Sequence, residues 1–202
     1  MNAAETWQAR YEAEDTPWEK GRAHPALPWL VQTYRNIFRS GQRVLVPGCG
    51  TGHDAAVITE ATGPETVVGL DLAESALTGA RAAYPTAPIL WEKGNFFQLA
   101  EERAGEFDLL WEHTCFCAID PSMREDYAKA AASAVRRSGY FLAVFFLNPD
   151  MPAGEGPPFG VERTEIHRLF GDNFDLCWDL PPIDTYHPER TGRETVMLWR
   201  RK

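Results

Sequence analysis

A chain of 202 residues with 44% hydrophobic and 24% charged content suits one domain with a sizeable core and has the balance of a soluble globular protein. Its formal charge of −9 argues against a nucleic-acid backbone as partner, because phosphate affinity comes largely from Lys and Arg. No apolar run approaches about 18 residues, and the polar, acidic N-terminus shows no signal-peptide pattern, so the expected setting is cytoplasmic with no membrane partner.

Taken in order, Trp7, Arg10, Tyr11 and Glu14 share a helical face before Thr16-Pro17 breaks the pattern. Residues 18–25 read as a loop and Leu27 to Phe38 as a second helix. Trp7, Tyr11 and Trp18 are much aromatic surface for residues 1–40, a segment outside the main sheet. They either cap the core or form a lid whose π-faces attract a cation. Val44-Leu45-Val46 suits a strand buried on both faces. Gly48, Gly50 and Gly52 follow at alternate positions, then a helix from Asp54 to Ala61 that Gly63-Pro64 stops. Thr66 to Asp71 is a second strand, Leu72 to Tyr84 an Ala-rich helix, Ile89 to Trp91 a third strand and Phe107 to His113 a fourth.

Asp120 and Pro121 start a helix that runs to about Arg137, with Asp120 as N-cap. Ser138-Gly139 then turns into a fifth strand, Tyr140 to Phe146. Residues 148–160 hold four prolines and three glycines, too long for a routine connection; they form either a substrate loop or a surface excursion. Thr164 caps a short helix ending at Phe170-Gly171, and Phe174 to Leu180 and Thr195 to Arg200 close the chain as a hairpin. Strand and helix alternate five times, which predicts an α/β fold with a parallel sheet covered on both faces, all in a single domain over residues 1–202.

Glycines at a strand-to-helix turn allow a tight bend and close approach of a ligand to the main chain. Asp71 lies 21 positions beyond Gly50, near the offset of about 20 at which an acid meets ribose hydroxyls in nucleotide-binding βαβ units. His53 stands where a dinucleotide fingerprint has its third glycine, which favours a different adenosine ligand. Cys49, Cys115, Cys117 and Cys177 show no disulfide-framework spacing. His113, Cys115 and Cys117 alternate, so an extended strand would put them on one face. A structural zinc takes four ligands, no fourth is evident, and no metal is expected.

With these residues in place, the chain resembles the Class I S-adenosylmethionine-dependent methyltransferases, and more narrowly the thiopurine S-methyltransferase family on its thiol and halide branch. The matching stretches are Thr16 to Gly21, Val46 to Gly50, Val68 to Asp71, Phe107 to Leu110, Phe116 to Pro121 with Arg124, and Gly156 to Phe159. The resemblance implies a Rossmann-like, doubly wound seven-stranded sheet in the order 3-2-1-4-5-7-6, last strand antiparallel, with helices on both faces and an N-terminal helical lid. It implies S-adenosyl-L-methionine as cofactor. Trp7, Tyr11 and Trp18 would pack over it, Gly48 and Gly50 meet its methionine moiety, Asp71 with Leu72 hold the ribose, and Asn95 with Phe96 contact adenine. It also places Trp18, Phe116 and Phe159 toward the methyl acceptor and His113, commonly Tyr in the family, near the reactive end.

Methyl transfer from a sulfonium is an in-line displacement that needs alignment and exclusion of water. Halides and thiolates are already nucleophilic, whereas a thiol of pKa ~8.5 has to lose its proton. His113 is the foremost candidate base, with His24 and His187 behind it. The expected activity is methylation of a small soft nucleophile: a thiol, hydrosulfide, thiopurine or halide. Transfer to an oxygen, nitrogen or metalloid acceptor, and a non-catalytic sensor of the cofactor, are the alternatives. The expected partner is a small molecule, with the protein a monomer or weak homodimer.

Overall fold

Alternating apolar residues along each central strand serve two cores at once, and this decides the architecture. Val44–Pro47 (β1) sends Leu45 into one cluster and Val44 and Val46 into the other, while Phe107–His113 (β4) sends Leu110 one way and Leu109 and Trp111 the other. The structure, a computed structural model, describes residues 2–63, 66–147, 155–181, 184–185 and 188–202. Pro64, most of the expected loop after Leu147, Pro182 and His187 lie outside the described residues.

Val67–Asp71 (β2), Leu90–Lys93 (β3), Val135–Phe146 (β5), Phe174–Leu180 (β6) and Glu194–Arg201 (β7) complete a seven-stranded sheet in the order β3-β2-β1-β4-β5-β7-β6. β1 to β5 pair in parallel, and β7 runs antiparallel to both β5 and β6. The expected order and the antiparallel last strand are both present. Helices Ala26–Thr33 (α2) and His53–Thr62 (α3) bury Leu27, Leu30, Ala55 and Ile58 against one face. Phe96–Glu102 (α5), Arg124–Ala134 (α6) and Arg163–Phe170 (α7) cover the other with Leu99, Tyr127, Ala131 and Phe170. Glu74–Ala83 (α4) packs on β2 and β3, and Ala3–Glu12 (α1) lies on α4. Among the described residues no helix is long and apolar enough to cross a membrane.

Several boundaries differ from expectation. The second helix ends at Thr33 rather than Phe38: Tyr34 stacks on Trp178 at 4.9 Å, and Ile37 and Phe38 are buried from a turn instead. The sixth helix stops at Ala134, not Arg137, and the strand already begins at Val135. Ser138 takes a left-handed φ of 61° within that strand, where its pairing with β4 slips between Phe107 and Leu109. Gly139 belongs there because a Cβ would stand 2.8 Å from the Asp108 carbonyl oxygen. Pro121–Met123 forms a separate 3₁₀ turn capped by Asp120, and α6 proper starts at Arg124. Thr164 lies inside α7, whose N-cap position is Glu162. The one-face alternation of His113, Cys115 and Cys117 also fails, since β4 ends at His113 and Thr114 bends the chain with φ of 69°. The Glu112 carboxylate holds that bend by accepting from the Phe116 N–H at 2.7 Å.

Candidate active site

Parallel strands leave a crevice beyond their carboxyl ends where the order reverses, here between β1 and β4. A cavity of about 670 Å³ lies at this point, with Gly48, Gly50, Asp71 and Asn95 at one end and His113, Cys117 and Arg190 among its other lining residues.

At the first end, Gly48, Gly50 and Gly52 all have left-handed φ, 61°, 55° and 84°, which L side chains seldom adopt. A Cβ on Gly48 would stand 3.0 Å from the Cys115 Cβ, so the backbone itself forms the wall. Asp71 is buried and accepts from the Gly50 N–H at 3.0 Å and the Ala73 N–H at 2.9 Å. Burial raises its pKa, against the pull of those amides. A carboxylate has about four acceptor sites, more than the Gly50, Leu72 and Ala73 amides fill, so it can still accept from a ribose hydroxyl. Asn95 caps α5, its side-chain oxygen accepting from the Phe97 N–H at 2.9 Å, and lines the cavity beside Phe96 and Leu72. Trp7, Tyr11 and Trp18 cover this end; the Trp18 ring lies edge-on to the other two, and its Nε1–H donates to the Tyr11 hydroxyl at 3.2 Å. The Arg10 guanidinium sits 4.4 Å from the Trp18 ring centroid, so a cation of the chain itself already occupies an aromatic face. A backbone cradle, an acid with spare acceptors and an aromatic cover fit an adenosine ligand that carries a methionine tail.

At the other end, His113 is the last residue of β4 and its Nδ1–H donates to Asp54 at 2.8 Å. Asp54, in the first turn of α3, also accepts from Trp111 Nε1–H at 2.8 Å and from the His24 N–H at 2.8 Å. Burial works to raise its pKa, but His113, Trp111 and the His24 amide hold it at about 2. This contact fixes the His113 tautomer and leaves Nε2 as the acceptor nitrogen. His24 is fully buried; its Nδ1 accepts from the Ala26 N–H and its Nε2–H faces Glu194 at 3.3 Å, with its ring 4.7 Å from that of His113. It does not line the cavity, and burial lowers its pKa. Arg190 donates to Glu194 at 3.4 Å and stacks over Phe146 at 4.4 Å. Burial pushes the thiol of Cys117 up to about 12 and that of Cys115 well above its usual range, so both are neutral.

The structure therefore brings together Trp7, Tyr11, Trp18, Gly48, Gly50, Asp71, Leu72, Asn95, Phe96 and His113 around one cavity. Phe116 and Phe159 are not among its lining residues. Phe116 is buried in the core against Tyr127 and Phe145, and Phe159 sits one residue past the lining Pro157 and Pro158. Sequence reasoning missed Asp54, which reads as an ordinary acid in a first helical turn, favourable to the helix dipole. It also missed Arg190, for which no local signal exists. Among the described residues no group of three or more His, Cys, Asp or Glu is placed to hold a metal ion.

Comparison with known proteins bears on the family and the fold. The profile of the family described as Thiopurine S-methyltransferase (TPMT) matches residues 2–201. Thiocyanate methyltransferase 1 of Arabidopsis thaliana is 33% identical over 201 residues, covering 96% of this chain and 84% of that protein. Thiopurine S-methyltransferase of Bos taurus is 27% identical over 191 residues, covering 83% and 75%. The 1,6-didemethyltoxoflavin-N1-methyltransferase of Burkholderia thailandensis, solved with 1,6-didemethyltoxoflavin and S-adenosylhomocysteine, superposes with a TM-score of 0.75 at 18% identity, over 98% of this chain and 87% of that one. At that identity the likeness speaks for the fold.

Proposed function

Because this chain belongs to the thiopurine S-methyltransferase family, we propose that it methylates a small soft nucleophile, with residues 1–202 acting as a single domain and 1–40 as its lid segment. It is an S-adenosyl-L-methionine-dependent methyltransferase, and the thiol, hydrosulfide, thiopurine and halide acceptors are the chemistry its second cavity end suits. The observation that carries this reading is the Asp54–His113 pair at the carboxyl end of β4, lining the same cavity as Asp71.

The bound cofactor supplies an electrophilic methyl group on a sulfonium sulfur. Asp71 would hold the ribose and the Gly48–Gly50 backbone the methionine moiety, with Leu72, Asn95 and Phe96 flanking the nucleoside. Trp7, Tyr11 and Trp18 exclude water, which strengthens electrostatics inside. For a thiol acceptor, His113 takes the proton at Nε2, and Asp54 holds Nδ1–H and stabilises the imidazolium that results. A halide needs no such step. Trp18 flanks the acceptor, while Phe116 and Phe159 act from behind the cavity wall. The protein works as a monomer or weak homodimer in a cytoplasmic setting, without nucleic-acid or membrane partners.

The test is the ratio of thiol to iodide methylation in His113→Ala over the parent, from about pH 6.5 to about 9. Thiol methylation should fall by ~10²-fold or more near neutrality, the scale of general base catalysis, and recover as the thiol ionises by itself. Iodide methylation should change without that pH dependence. Parallel losses for both acceptors across the range would remove the base role and leave His113 as a cofactor contact.

A further inference from the structure

His53 stands at the third-glycine position of the turn, and cofactor binding as described gives it no task. Its ring joins two distant segments. Nε2 lies 3.0 Å from the Glu19 carboxylate and Nδ1 lies 2.5 Å from the Tyr84 hydroxyl at the end of α4. The same Glu19 carboxylate accepts from the Gly21 N–H at 2.7 Å and from the Thr51 hydroxyl. Burial works against its charge, yet these donors hold its pKa at about 2. Glu19 directly follows Trp18, which lines the cavity and bonds Tyr11.

Among the described residues, α1 adds little buried surface to hold this segment. α1 buries no residue fully, and its polar link to the body is Gln8, which exchanges hydrogen bonds with Ser75 at 2.6 and 3.2 Å. A segment with little buried apolar surface opens at low cost, so a few polar anchors decide its position. Two of the three Glu19 donors, Thr51 and His53, belong to the turn and helix start that also cradle the cofactor end. A glycine at position 53 could not reach Glu19.

We propose that Glu19 and His53 are a positioning pair that locks residues 16–21, and with them Trp18, across the cofactor end of the cavity. The proposal rests on the reading of that end as the S-adenosylmethionine pocket. His53 is thus an anchor for the cover where a dinucleotide site keeps a glycine for close packing.

Calorimetry with S-adenosylhomocysteine and amide hydrogen exchange across residues 16–21 test this without relying on turnover. Glu19→Gln and His53→Ala should each weaken product binding about tenfold, as expected for a lost hydrogen bond to a charged group. Each should also speed exchange across 16–21 with the melting temperature near the parent's. The double variant should lose clearly less than the two single losses combined, because both act on the same contact. His53→Gln, whose amide can still donate to Glu19, should recover most of the affinity. Parent-like affinity and exchange in both single variants, or additive losses in the double variant, would overturn the pair. Should Glu19→Gln not fold, Thr51→Val removes another donor to the same carboxylate; weaker binding with faster exchange supports the lock, and parent-like values overturn it. A parent that binds no product would instead overturn the cofactor reading beneath it.

Discussion

At the cofactor end of the cavity, Gly50 meets Asp71 across 21 positions, and the cradle, the acid and the Asn95 cap all lie between residues 48 and 95. At the acceptor end, His113 meets Asp54 across 59 positions, and His24 meets Glu194 across 170. The first end is one strand–turn–helix–strand unit, which any chain with these glycines and this acid builds nearly by itself. The second exists only after β4 has inserted beside β1 and β7 has returned against β5. Groups gathered from so far apart are held by one another, so the acceptor end is where loss of a single side chain costs the fold most. At the cofactor end the same kind of loss costs ligand more than fold.

Asp54→Ala should show the largest effect. It leaves His113 Nδ1, Trp111 Nε1 and the His24 amide without their acceptor, and each buried donor left unsatisfied costs about 1–3 kcal/mol. Urea unfolding at neutral pH measures it, and a loss below about 1 kcal/mol would make this end as self-sufficient as the other.

Glu112 sharpens the same point through pH. Burial raises its pKa from the ordinary 4.5 to about 7, while Phe116 N–H and the Tyr127 hydroxyl act to lower it. The folded chain thus holds this proton more tightly than the unfolded one. Its contribution to stability is full below the unfolded value and is lost as pH rises through about 7. The difference amounts to about 3 kcal/mol at a little over 1.3 kcal/mol per unit. Glu112→Gln cannot titrate, so the stability of the variant relative to the parent should climb by that order from about pH 4.5 to about pH 8. A flat difference across the window would show that the buried carboxyl is not the group that titrates.

Asp71→Ala is the smallest of the three and of a different kind. Affinity for S-adenosylhomocysteine should fall by about 1.5–3 kcal/mol, the scale of hydrogen bonds to a charged group, with a smaller change in unfolding free energy. Unchanged affinity would move the ribose contact elsewhere and undo the contrast between the two ends.

The strands, the glycine turn and the acid that faces it were legible because their signals are local, whereas the strand order was legible through the family resemblance. Apolar runs of strand length, glycines at alternate positions and an acid at the right offset each follow from backbone geometry within about 30 residues. The cover residues Trp7, Tyr11 and Trp18 were legible through resemblance, and the structure places all three on the cavity. What the residues could not reveal one by one was partnership. Asp54 reads as a helix-start acid until β4 brings Trp111 and His113 to it, and Glu194 reads as a strand end until His24 and Arg190 close on it. Thr114 shows why the bend after β4 also escaped: a β-branched residue at φ of 69° is held there by its surroundings, among them the Glu112 carboxylate bonded to Phe116. Phe116 and Phe159 carry family motifs, yet packing turned Phe116 into the core, and Phe159 is not among the residues that line the cavity. Sequence by itself determined which segments become most of the strands, turns and helices and which glycines and acid face one another at the first turn. Tertiary structure alone decided which acid serves which histidine, because that depends on register between strands far apart in the chain and on burial that no local pattern encodes.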